Sequence, residues 1–152
     1  NTLLFDVPAF KKLMYFIIIT YTVTTVIYIV YPNKQELRPT EFARDNIFVD
    51  IVKMLYGFDT NTNVCPSLHV IGSFAVLFTT WQCRRFKNVR DQIWIILLTV
   101  LISISTVFLK QHSIIDVIAG LAVCAVSYPA AYILPDKIRL INKKVKRENI
   151  KA

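Results

Sequence analysis

Nineteen residues in a row, Leu13 to Tyr31, carry no charge. Ser67 to Gln82 and Ile93 to Leu109 are equally free of charge, and Ser113 to Leu134 carries only Asp116. A hydrocarbon layer roughly 30 Å thick calls for about 17–25 helical residues, and a helix can cross it because it satisfies its own backbone polar groups. The first, third and fourth stretches are long enough; the second is short and is expected to start below the bilayer surface. A hydrophobic fraction of 55% and a mean hydropathy of +0.48 point the same way, away from an ordinary soluble domain. The expected fold is all-α, a polytopic transmembrane helix bundle. It forms one domain over residues 1–152, with four spans at about 13–31, 67–82, 93–109 and 113–134 and a basic tail over 135–152.

The chain opens on Asn1, so a missing N-terminal part is expected. Lys11 and Lys12 precede a span without a small-residue cleavage site, unlike a secretory leader. Cys65, Cys83 and Cys124 fall in a loop, a helix end and a span, a spacing that suits neither a zinc site nor an obvious disulfide.

Charge sets the expected orientation. Lys11 and Lys12, then Arg84, Arg85, Lys87 and Arg90, then Lys137, Arg139, Lys143, Lys144, Lys146, Arg147 and Lys151 fall on one face if four spans alternate. The positive-inside rule makes that face cytoplasmic. The net charge of +8 is then a topology signal and an attraction to anionic lipid heads. It is not a nucleic-acid footprint, because the basic residues hug span ends. Trp81 and Trp94 flank the same face as interfacial anchors. The tail reads as a solvated stop-transfer end.

The opposite face collects the unusual residues. The segment from Pro32 to Cys65 is expected to hold a short surface helix in "EFARDNIFVDIVKMLYG", with Phe42, Ile47, Ile51, Met54 and Leu55 as its apolar stripe. In "CPSLHV", a helix starting near Pro66 would point the free amides of Ser67 and Leu68 outwards, a ready anion site, with the Ser67 hydroxyl and His69 beside it. In "KQHSIIDVIAG", His112 and Asp116 stand four apart and share a helix face. A carboxylate inside an apolar span is costly and marks a functional candidate. Asp116 is expected to accept from one ring nitrogen of His112, leaving the other lone pair facing the outer pocket. Gly120 is expected at a close helix–helix contact. In "NKQELRPT", Arg38 offers a planar fork that matches phosphate oxygens, and Lys34 a second cation.

Cations, then Pro-Ser-x-His, then His-x-x-x-Asp: this ordered set resembles the type 2 phosphatidic acid phosphatase (PAP2) superfamily, which also contains the vanadium haloperoxidases. The family blocks Lys-x6-Arg-Pro, Pro-Ser-Gly-His and Ser-Arg-x5-His-x3-Asp stand here as "KQELRP", "PSLH" and "STVFLKQHSIID", within residues 13–134. Three departures accompany them. The Lys34-to-Arg38 spacing is shorter. Leu68 replaces the Gly of the second block, as in members similar to inositol phosphorylceramide synthase. Thr106 replaces the family Arg, with Lys110 as the candidate substitute. The family commonly has six spans.

The resemblance implies a metal-independent membrane hydrolase without cofactor, its site on the non-cytoplasmic side of the cell membrane, acting on a lipid phosphate or diphosphate. It makes His112 the nucleophile that forms a phosphohistidine, Asp116 its orienting partner and His69 the acid and base. Arg38, Lys34, Ser67 and Lys110 would bind the phosphoryl oxygens. A phosphotransferase using an alcohol acceptor and a non-catalytic lipid-phosphate binder are the alternatives; the lost Arg and the apolar composition argue against a haloperoxidase. The expected partners are the substrate and membrane lipids, with no nucleic acid; the oligomeric state is open.

Overall fold

The computed structural model describes residues 6–151, the side chains as far as residue 149; the ends of the expected domain and the Lys151 side chain of the basic face lie outside them. Among the described residues six α-helices follow one another: α1 (Val7–Val30), α2 (Ile47–Phe58), α3 (Leu68–Gln82), α4 (Val89–Phe108), α5 (Ile114–Tyr128) and α6 (Leu134–Lys151). A 3-10 turn, Arg84–Phe86, joins α3 to α4, and a π-helical segment, Pro129–Ile133, joins α5 to α6. No β-strand occurs among the described residues. The fold is all-α, as the apolar stretches imply.

Helix α3 is the axis of the bundle, packing on α1, α4 and α5. Its Ile71 and Ala75 meet Leu13 and Phe16 of α1, Val123 and Cys124 of α5, and Tyr132 of the π segment in one buried cluster. Phe16, Phe78, Tyr128 and Tyr132 add edge-on and stacked ring contacts with centroids 4.9–6.2 Å apart. Such pairs add roughly 0.5–1.5 kcal/mol each beyond the area they bury.

Among the described residues three segments are long and apolar enough to cross a membrane: Val7–Val30, Val89–Phe108 and Ile114–Asn149. Helix α3, the second expected span, has 15 residues. At 1.5 Å each it rises about 22 Å, less than the hydrocarbon thickness.

The helices overrun the uncharged stretches for local reasons. Asp6 caps α1 by accepting from the Ala9 amide, and Pro8 occupies its first turn, so the helix starts six residues before Leu13. The fourth stretch does not stop at Leu134. Pro135 has no N–H to return to the preceding turn, and the chain absorbs this as a π segment before resuming as α6. The basic tail is therefore helical.

Two ends emerge. At one, Lys12 bridges α1 to Asp136 of α6 at 2.6 Å and to Gln82 of α3 at 3.2 Å, while Asp6 accepts the Arg84 amide. At the other lie the α1–α3 connection and the α4–α5 turn. The expected surface helix is α2, capped by Asn46, which accepts from the Phe48 and Val49 amides. Of its expected stripe, Ile47, Ile51 and Met54 are exposed, together with Phe48 and Phe58, while Leu55 is half-buried. Phe42 instead packs on the Tyr56 ring.

Candidate active site

The histidines of the two motifs meet. His69 Nδ1 lies 3.2 Å from His112 Nε2, although 43 residues separate them in the chain. His69 stands exposed in the first turn of α3; His112 is buried, with 5% of its surface accessible.

The backbone around His112 is over-determined. Helix α4 ends where the Thr106 carbonyl accepts the amides of Gln111, at 3.0 Å, and His112, at 3.1 Å. Lys110 takes a left-handed φ of 55°, which costs a non-glycine residue roughly 1–2 kcal/mol. Three contacts hold that turn. The buried Gln35 amide donates to the carbonyls of Lys110 and Gln111, and the Tyr56 hydroxyl donates to the Leu109 carbonyl at 2.6 Å. Thr106, where the family carries Arg, is buried; its hydroxyl donates to Ser103 and its carbonyl anchors His112.

The His69 side is fixed as tightly. Asn33 Oδ1 accepts the amides of Val64 and Cys65 at 2.8 and 2.9 Å, and its Nδ2 donates to the Cys65 carbonyl. The Tyr28 hydroxyl donates to the Pro66 carbonyl at 2.7 Å. Gly120 closes the join: a Cβ there would stand 3.1 Å from the Ser67 carbonyl oxygen and 3.3 Å from the Val70 Cβ. The expected close helix contact is this one, between α5 and the start of α3.

Several expectations need correction. His112 Nδ1 is 3.7 Å from Asp116 Oδ2 and makes no hydrogen bond. That oxygen accepts the Ser113 amide at 2.7 Å, while the Ser113 hydroxyl accepts the Asp116 amide, a capping box at the start of α5. Asp116 therefore faces His112 across 3.7 Å without a hydrogen bond. Helix α3 begins at Leu68, close to Pro66 as expected, but the Ser67 amide is not free: it is spent on the Asp116 carbonyl at 3.0 Å. Ser67 is fully buried and its hydroxyl caps the Val70 amide. The amides left without intrahelical partners are those of Leu68 and His69.

The expected phosphate cations are only partly gathered. Arg38 lies over the Tyr56 ring at 4.7 Å and donates to the carbonyls of Tyr56, Asp59 and Thr60, closing the C-terminal end of α2; Asp59 Oδ2 lies 3.4 Å from it. Its buried Nε has no partner. Lys34 turns out to solvent and pairs with Glu36 at 2.8 Å. Lys110 is exposed at the apex of the His112 turn and makes no ion pair among the described residues.

Burial is the first cause that holds the His112 pKa below the ordinary imidazole value, and positive charge at His69 is the second; the Asp116 carboxylate opposes both. A neutral His112 with Asp116 beside Nδ1 favours the Nδ1–H tautomer. Nε2 then carries the lone pair and accepts from His69 Nδ1–H. The pair is a candidate nucleophile with a proton donor already in contact. Burial likewise pushes the Cys65 thiol up, with Asp116 adding to it. Among the described residues no three His, Cys, Asp or Glu side chains cluster as metal ligands.

The model of the PAP2 superfamily matches residues 9–139. The chain belongs to the PAP2 superfamily. Neither a curated protein nor a solved structure matches it. Membership and the three long apolar helices fit a phosphatase-type protein of the membrane.

The residues that hold the site were not legible beforehand. Asn33 and Gln35 flank Lys34 in a loop where an amide side chain has no pattern to announce it. Tyr28 and Tyr56 could be read only as interfacial aromatics, a general signal that names no partner.

Proposed function

We propose that this PAP2 member is an integral-membrane phosphatase that hydrolyses a lipid phosphate or diphosphate through a phosphohistidine. The observation that carries the reading is the 3.2 Å contact between His69 and His112, with Asp116 behind the second ring. That the pair lies at the end of the bundle away from the Lys12 and Arg84 cluster supports a non-cytoplasmic site, by the positive-inside rule.

In the first step His112 Nε2 attacks phosphorus in line. The P–N bond forms as the P–O bond to the leaving group breaks, and His69 gives its proton to the departing oxygen. The leaving group is the lipid alcohol of a monophosphate or the lipid phosphate of a diphosphate. Asp116 stabilises the positive charge that develops on His112. In the second step His69 takes a proton from water, the water oxygen attacks phosphorus, and the P–N bond breaks. Splitting the displacement in two is covalent catalysis, and fixed positive groups offset the equatorial charge. In this reading Lys110 and the Leu68 and His69 amides take that part. Arg38 joins them only by releasing Asp59, Lys34 only by leaving Glu36, and Ser67 acts by shaping the start of α3.

No phosphoryl group fits between nitrogens 3.2 Å apart. Substrate entry therefore requires one ring to move, and the exposed His69 is the one free to do so.

A lipid substrate is favoured by the wall beside the site. Helices α4 and α5 scarcely touch each other, each packing on α3. Between them lies an apolar cavity of about 260 Å³ lined by Ser103, Ile104, Val107, Phe108, Ile114 and Val117, at the helix ends that carry His112. A hydrocarbon tail lying there stays in the bilayer while its phosphate reaches the ring.

The second reading is a phosphotransferase in which an alcohol replaces water, favoured by Leu68 in the position of the family Gly. One assay separates these readings: phosphatidate, polyprenyl diphosphate and water-soluble monoesters in detergent with chelator, with and without candidate alcohols. Free phosphate from the lipids supports the hydrolase and a new phospholipid the transferase. Binding without turnover, in a protein that His112→Ala leaves unchanged, would overturn both.

A further inference from the structure

The basic end carries a surface that phosphatase chemistry does not use. Residues 136–149 of α6 are exposed throughout, and Asp136 ties only the first turn of the helix to the bundle, through Lys12. Yet α6 is not uniformly polar. Leu134, Ile138, Ile141 and Val145 recur at helical spacing and are 53%, 49%, 61% and 50% exposed. The stripe does not begin in α6. It continues back through Ile133 and Ala130 to Val126 on α5, which is 81% exposed on the outer face of a segment long and apolar enough to span a membrane.

At the junction, Val126, Pro129, Ala130, Ile133, Leu134 and Lys137 line a groove of about 350 Å³, apolar but for the lysine. Lys137 makes no ion pair among the described residues. Lys144, seven residues on, flanks the stripe on the same edge, while Arg139, Lys143, Lys146 and Arg147 occupy the opposite side. Over Leu134–Lys151 seven cations face two carboxylates, and Asp136 is already paired.

We propose that this face is a binding site for anionic phospholipid: the acyl chains lie in the junction groove and along the stripe, the phosphate meets Lys137 and Lys144, and α6 rests on the headgroup layer. The stripe runs on from a lipid-facing surface without changing sides, and its flanks carry the charge that an anionic leaflet complements. A second copy of the chain would bring its own seven cations against the Lys137 and Lys144 edge. Nucleic acid would satisfy the cations and leave the apolar stripe in water. The proposal is independent of the reaction at the other end.

The test uses the full chain reconstituted in vesicles of phosphatidylcholine, alone or with phosphatidylglycerol. Ile141→Cys, in a Cys65→Ser background, carries an environment-sensitive fluorophore; Cys83 and Cys124 are buried. The expected result is a blue-shifted emission, quenched by bilayer-depth quenchers, that appears with phosphatidylglycerol and weakens with salt. Lys137→Gln and Lys144→Gln should each lower the lipid-bound fraction about fivefold in equilibrium constant, with helix content by circular dichroism unchanged. A solvent-like emission in both vesicles would overturn the proposal, as would a shift indifferent to anionic lipid. A shift that grows with the protein-to-lipid ratio would overturn it too, by giving the stripe to a second copy.

Discussion

At the scale of single residues, Asp116 both accepts the Ser113 amide and faces the His112 ring at 3.7 Å. Asp116→Asn separates these duties, because an amide oxygen can still cap α5 while the charge is gone. The melting temperature in detergent should barely move, and turnover should fall on the order of 10²-fold or more, the scale at which a preorganised electrostatic partner acts. His69→Ala should slow turnover by about 10²–10⁴-fold, the range for a positioned acid and base. Tyr56→Phe tests the support instead: the Leu109 carbonyl loses its donor, at about 1 kcal/mol in stability. The expected signature is a fall in kcat with KM little changed, since the hydroxyl serves the His112 turn and touches no phosphate. An unaltered kcat would mean that the left-handed Lys110 turn holds without it.

At the scale of elements, Gly120 governs how closely α5 approaches the start of α3, and through that the distance between the histidines. A Cβ 3.1 Å from a backbone carbonyl oxygen forces the helices to give. Gly120→Val should destabilise by about 1–3 kcal/mol as an overpacked contact and cost more activity than the melting shift explains; equal turnover per folded molecule would show that the pair tolerates the displacement. This element was readable in advance because a glycine in a span, one turn beyond an ionisable residue, has few other uses. Helix ends were less legible. Absence of charge reports what meets lipid, whereas helix limits depend on caps, and so α1 starts at Val7 on the Asp6 cap and α6 runs on through the basic tail. The sequence brought His69, His112 and Asp116 to one end through motif order and span count. It could not show that Asp59 and three carbonyls engage Arg38, or that the Ser113 amide, not the imidazole, takes the Asp116 oxygen. Those are competitions between equally suitable acceptors, and only packing decides them.

At the scale of the whole molecule, the buried His112 links pH to both stability and turnover. Its folded pKa is held below the ordinary value of about 6.5. The unfolded chain therefore binds a proton at a pH where the folded chain does not, and stability should fall as pH drops below about 6.5, with its full contribution retained above. Turnover should fall on the acid side, below about pH 6.5, as His112 gains the proton that blocks its attack. His112→Ala should remove the stability part of this dependence, which a melting series in detergent can read. The account rests above all on the pair of rings acting as nucleophile and proton donor, and trapping the covalent step tests it most directly. Brief incubation with a lipid phosphate labelled at phosphorus, then alkaline quench, should leave acid-labile, base-stable label on His112 that is absent from His112→Ala. Turnover of the same lipid with no label on the protein, or with label on a residue other than His112, would contradict it.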